Sequence, residues 1–201
     1  MKSADTAVIE GLAAEIFALL AGVPEAAFFR AEFPELRVSR ASVPGSLPVC
    51  AGLAEAVRHA VPLTCGLMQS LVCAAPQLEW RQTYSAEDFG PEFLRGYGWS
   101  EVIGLRGPIA SDRVACGFLM LGPDTTYPAH AHEAEELYLP LAGTALWQHG
   151  TGEYAAIAPG EAIYHPSWLP HATTTQSQPL LALYIWRGGN LAAKSTIIGR
   201  V

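Results

Sequence analysis

The chain has 201 residues, of which 50% are hydrophobic and 15% charged, a composition too apolar for a disordered polypeptide. A chain of this size buries roughly 70% of its unfolded surface, so a single domain needs no disulfide staple. Twelve Lys and Arg against nineteen Asp and Glu leave a formal charge of −7, the wrong sign for a nucleic-acid partner.

The cysteines, Cys50, Cys65, Cys73 and Cys116, make neither a Cys-x-x-Cys pair nor a zinc-ribbon spacing. Such usage fits a reduced, cytoplasmic compartment. Asp5, Glu10 and Glu15 interrupt any secretory core near the N-terminus, and no run of about 18 uncharged apolar residues offers a bilayer span. The expectation is a soluble protein with neither a membrane nor a nucleic-acid partner, its oligomeric state open.

Residues 1–76 read as a helical cover. Ser3 or Asp5 can cap a helix that carries Ile9, Leu12, Ile16, Leu19 and Leu20 on one face, and Gly22-Val23-Pro24 stops it. A second amphipathic piece runs through Phe28, Phe29 and Phe33, and a third through Leu53, Val57 and Ala60. Pro62 interrupts the third, and residues 67–73 resume a short helix.

Residues 84–99, rich in Gly, aromatics and acids, read as a loop or a pair of edge strands. Beyond Ser100, strand-like runs at 101–105, 114–121, 136–141, 145–149, 162–164 and 180–186 alternate with turn residues. This is the rhythm of an all-β sandwich or barrel. The fold expected is mainly β with an α-helical N-terminal extension: a small β-barrel over residues 77–201, with the helices shielding one edge or closing as a lid.

Five of the six histidines lie between positions 130 and 171. In a single strand, His130, His132, Glu136 and Tyr138 would all point to one face. A lone His-x-His is more often a solvated strand. Two imidazoles, a carboxylate and a phenol turned inward together would instead cost about 1–3 kcal/mol for each unsatisfied group. A divalent transition metal removes that cost.

His130-x-His132-x3-Glu136-x6-Gly143 resembles the first cupin motif, although seven residues intervene between Gly122 and His130 where the family has five. Gly160-x5-Pro166-x-Trp168-x2-His171-x3-Thr175 is similar to the second, with Trp168 in place of a glycine and Thr175 in place of an asparagine. The resemblance implies a double-stranded β-helix with His130, His132, Glu136 and His171 as metal ligands. His165, one residue before Pro166, competes with His171 or serves the substrate side. His149 is expected to be exposed, and His59 to be a structural or surface histidine unless the cover folds over the barrel mouth.

A helical half ahead of one cupin, Glu136-Leu-Tyr138, and Tyr127 just before the first ligand histidine together resemble the bacterial dimethylsulfoniopropionate lyases of the DddQ type. That resemblance implies a metal-dependent carbon–sulfur lyase. It would cleave a small zwitterionic sulfonium substrate to dimethyl sulfide and acrylate by β-elimination. Tyr138 is then the expected base, its phenol acidified by the cation, with Tyr127 as second candidate. A sulfonium donates no ordinary hydrogen bond and is best held by aromatic faces. Among Trp147, Tyr164, Trp168, Tyr184 and Trp186, the expected substrate contacts are Tyr184, Trp186 and Trp168, with His165. Zinc, iron(II), manganese, cobalt and nickel all suit the ligand set. An iron(II) cupin dioxygenase and a non-catalytic ligand-binding sensor are the rival readings.

Overall fold

A computed structural model describes residues 4–199; Ser3 lies outside them, and Asp5 falls in the first turn of the first helix. The helices are α1 (Ala4–Leu20), α2 (Ala27–Arg30), α3 (Leu53–Val57), α4 (Pro62–Ala74) and α5 (Ala86–Arg95). The strands before the motif histidines are β1 (Trp80–Arg81), β2 (Tyr97–Gly104), β3 (Ile109–Ala110), β4 (Val114–Leu121) and β5 (Thr126–Ala131). They continue with β6 (Glu135–Ala142), β7 (Ala145–His149), β8 (Ala155–Ile157) and β9 (Ile163–His165). β10 (His171–Thr175), β11 (Leu180–Arg187) and β12 (Thr196–Ile197) complete the set. Among the described residues no single helix is long and apolar enough to cross a membrane.

α1 forms where apolar residues recur at helical spacing, and it buries Ile9, Leu12, Ala13, Ile16 and Leu20. Pro62 opens α4 rather than breaking it, since proline at the first helical position gives up only an amide that has no partner there. The stretch 84–99 corrects the expectation of a loop or edge strands. It holds α5 and the start of β2, and α5 is started by Ser85, whose backbone N–H donates to Asp88 at 2.8 Å. Gly90, at φ 79°, kinks that helix just before Pro91.

Two antiparallel sheets face one another. The larger runs β1-β2-β4-β11-β6-β9, with β3 beside β2; the smaller runs β12-β5-β10-β7-β8. Successive strands from β4 to β7 alternate between the sheets, and so do β8 to β11, which is the jelly-roll order of a double-stranded β-helix. The expected barrel is therefore open: the two sheets remain separate ladders rather than one closed cylinder. At Gly143, φ 80°, a Cβ would stand 1.9 Å from the Pro179 carbonyl oxygen, so this turn of the motif accepts only glycine.

The chain builds two cores on opposite faces of the large sheet. Outside, α1 and α4 pack Leu12, Ile16, Met68 and Leu71 against Ile103, Phe118, Met120, Leu139 and Leu183. Between the sheets lie Ala115, Leu119, Tyr127, Tyr138, Trp147 and Tyr184. The helical cover thus lies over a sheet face. Because both faces are covered, β4 is buried at all eight positions, which explains its uninterrupted hydrophobic run.

Candidate metal centre and adjoining cavity

The motif histidines do not share a strand, which corrects the single-strand expectation. His130 is the penultimate residue of β5 in the small sheet, residues 132–134 turn, and Glu136 and Tyr138 follow on β6 in the large sheet. Convergence comes from two facing sheets rather than from alternation along one strand. His171, first residue of β10, pairs directly with His130 across the ladder.

One ligand nitrogen from each of His130, His132 and His171 lies within 4.8 Å of the others, and all three residues are buried. Each ring is aimed by a backbone carbonyl. Nδ1 of His130 meets Pro128 O at 2.8 Å, Nδ1 of His132 meets Ala134 O at 2.9 Å, and Nδ1 of His171 meets Leu169 O at 3.0 Å. A carbonyl only accepts, so each Nδ1 carries the proton and each Nε2 of a neutral ring presents a lone pair.

Glu136 closes the set. Its Oε2 lies 3.0 Å from His132 Nε2 and 3.1 Å from His171 Nε2, and its Oε1 accepts the Trp186 indole N–H at 2.7 Å. Proton sharing satisfies the first of these pairs only. His171 Nε2 remains buried without a hydrogen-bond partner. Three imidazole nitrogens within 4.8 Å of one another, two of them about 3 Å from a carboxylate oxygen, can close on a cation with bonds of about 2.0–2.2 Å. On these observations the four side chains fit a divalent metal.

The electrostatics agree. Burial holds His130 well below its ordinary range, so it is neutral and ligand-ready. Burial alone would raise Glu136, yet His132 and His171 hold it well below the usual carboxylate range. The same Glu136 raises His132 against the opposing effect of burial. Burial also pushes the Tyr138 and Tyr127 phenols well above their ordinary value.

A cavity of about 460 Å³ adjoins the centre, lined by Glu136, Tyr138, Tyr127, Tyr184 and Trp186. Of the expected substrate contacts, Tyr184 and Trp186 line it; Trp168 and His165 do not. Trp168 is 57% exposed, and its backbone N–H donates to the His132 carbonyl oxygen at 2.8 Å. His165 stacks on His171 with ring centroids 4.1 Å apart, and both of its nitrogens are buried without partners. His149 is exposed, and His59 lies 3.3 Å from Glu55 in the cover.

Trp99 and Glu101 on β2 also line the cavity, as do Arg81, Arg106 and Lys194. None of these was singled out in the sequence. The available signal was Trp99, two residues ahead of Glu101 on the same strand face, but the expected strand began at 101 and excluded it. Tyr84 was missed as well; its hydroxyl lies 3.1 Å from that of Tyr127, whose ring stacks on His130 at 4.0 Å.

A sequence model of the dimethylsulfoniopropionate (DMSP) lyase family matches residues 27–182. The dimethylsulfoniopropionate lyase DddQ of Ruegeria pomeroyi DSS-3 is 32% identical over 179 residues, 89% of either chain. The crystal structure of DMSP lyase DddQ from the same organism superposes with a TM-score of 0.86 at 29% identity, covering 95% of this chain and 96% of that one. A crystal structure described as one of the DMSP lyases RdDddP and RnDddQII gives a TM-score of 0.84 at 30% identity, with 96% and 99% covered.

Proposed function

The chain belongs to the dimethylsulfoniopropionate lyase family and cleaves that substrate, and we propose that it does so by a base-initiated β-elimination beside a divalent transition metal. The observation that carries the reading is the convergence of three buried imidazoles and Glu136 at one wall of a cavity also lined by Tyr138. His130, His132, Glu136 and His171 would hold the metal. When bound, it supplies Lewis acidity toward the substrate carboxylate and draws a neighbouring phenol toward ionisation at neutral pH.

The α-carbon of a propionate is a very weak acid, so a base must be placed over it. Tyr138 is that base in this reading. It is two residues beyond Glu136 on β6, faces the cavity, and packs 5.0 Å from Trp147 and 6.3 Å from His171 between ring centroids. As phenolate it takes the α-proton. The electron pair of the C–H bond becomes the second bond between the α- and β-carbons, and the β-carbon–sulfur bond breaks. Dimethyl sulfide leaves neutral, acrylate keeps the carboxylate, and the proton stays on the tyrosine. Tyr127 is the alternative base or the hydrogen-bonding neighbour that orients the substrate, and Tyr84 holds its hydroxyl.

The test is a headspace assay under nitrogen with metal-replete protein and DMSP. Dimethyl sulfide and acrylate should form in equal amounts. Turnover that requires oxygen would contradict the elimination and favour a cupin dioxygenase.

A further inference from the structure

The cavity carries a second carboxylate that the elimination does not use. We propose that Glu101, flanked by Trp99 and Tyr184, forms a subsite for the cationic end of the substrate, a sulfonium or quaternary ammonium group. The inference rests on the lyase reading above and concerns how that site chooses its ligand.

The register of the large sheet places this residue. Glu101 on β2 pairs with Gly117 on β4, Gly117 with Tyr184 on β11, and Tyr184 with Tyr138 on β6. These residues form one transverse row, and the side chains of Glu101, Tyr184 and Tyr138 all line the cavity. The next row carries Ala115, Trp186 and Glu136. Two small residues on β4 therefore leave open the space between a carboxylate on β2 and the candidate metal ligands beside β11. The gap spans three strand spacings, about 14 Å between backbones before the side chains reach inward.

Local backbone aims Glu101 there. β2 is bulged between Glu101 and Ile103, a device that redirects side chains beside active sites. The bulge presses onto β4 so closely that a Cβ on Gly117 would stand 1.9 Å from the Ser100 carbonyl oxygen. Gly117 admits the bulge, and the bulge sets the carboxylate.

Glu101 is 6% exposed. Its Oε1 accepts the backbone N–H groups of Arg106 and Gly107, the latter at 2.9 Å. Among the described residues its Oε2 has a loose ion pair, 3.9 Å from Arg106 Nη1; that guanidinium donates to the carbonyls of Leu191 and Ala192 at 3.4 and 2.9 Å and lies 5.9 Å from the centre of the Trp99 ring, so one face of Trp99 is already shared with it. A dimethylsulfonium has no N–H or O–H, so a carboxylate and aromatic faces are the groups that recognise it. With the substrate carboxylate at the Glu136 end, its cation reaches into the neighbouring row toward Glu101.

The test compares two inert ligands by calorimetry on metal-loaded full-length protein: 3-(trimethylammonio)propanoate, which is cationic at that end, and 4,4-dimethylpentanoate, its counterpart in shape with a neutral end. Wild type should bind the first at least about tenfold more tightly, the scale of one partly buried charge pair. Glu101→Gln keeps an oxygen for the Arg106 and Gly107 amides and should lower that preference about tenfold, with 4,4-dimethylpentanoate affinity unchanged. Glu101→Asp should retain most of it. Equal affinities in wild type would overturn the subsite whether or not the variants fold. So would a Glu101→Gln protein that keeps the preference, or one that weakens both ligands alike, since Glu101 would then only support the 104–107 loop. DMSP cleavage by the same wild-type preparation judges the lyase reading separately.

Discussion

His130 and His171 face each other across the β5–β10 ladder, with ring centroids 4.2 Å apart at 63°. They stand 41 positions apart in sequence, yet adjacent strands of one sheet make them neighbours. The site's rigidity follows: two of its candidate metal ligands are fixed by ladder register and the others by a short turn into the opposite sheet.

Tyr138→Phe should cut turnover at least about 100-fold, the usual scale for a lost general base, while metal content stays near that of wild type. Substrate deuterated at the α-carbon should react more slowly with the wild-type enzyme. Near-normal rates in Tyr138→Phe would transfer the role of base to Tyr127.

Trp186→Phe removes the indole N–H that holds Glu136 Oε1 at 2.7 Å. Partners that orient a ligand in this way typically contribute about 10- to 100-fold in metal affinity or activity. Titrating the apo variant with zinc should show weakening within that range. An unchanged affinity would mean that Glu136 is positioned by the histidines alone.

Trp168 occupies a left-handed turn, φ 61°, where the cupin motif has glycine. That conformation costs an L-residue about 1–2 kcal/mol. Trp168→Gly relieves it and costs about 0.5–1 kcal/mol in unfolded-chain entropy. The melting temperature should therefore hold or rise by about 2–4 °C. A clear fall would show that the exposed indole contributes packing that outweighs the strain.

Burial holds His165 down to about 3. A histidine depressed in the folded state is protonated first in the unfolded chain, so stability is lost as pH falls below about 6.5 and until the folded value is reached. The slope is about 1.4 kcal/mol per pH unit for one group. His165→Phe, which keeps a ring against His171, should lose about 2 kcal/mol less than wild type between pH 6.5 and 5 in urea titrations. Parallel pH profiles would show that His165 is not neutral in the folded protein.

The sequence reading succeeded where pattern and spacing are local. β4 and β7 match the expected runs at both ends, because hydrophobic continuity and flanking turns mark them. β5 and β10 were missed because their residues, Thr-Tyr-Pro-Ala-His-Ala and His-Ala-Thr-Thr-Thr, serve the site and carry little apolar signal. The turn at 132–134 contains neither Gly nor Pro, so nothing announced that the motif changes sheets there. Glu101 was invisible as a cavity residue because its aim depends on a bulge and on Gly117 in another strand.

The account depends most on four side chains jointly holding one cation that turnover requires. Dimethyl sulfide release should be measured on protein stripped by a chelator and then reloaded with one equivalent of a divalent metal. Stripped protein should be silent, reloading should restore the rate, and His171→Ala should neither retain metal nor recover. Full activity in verified metal-free protein would contradict the account.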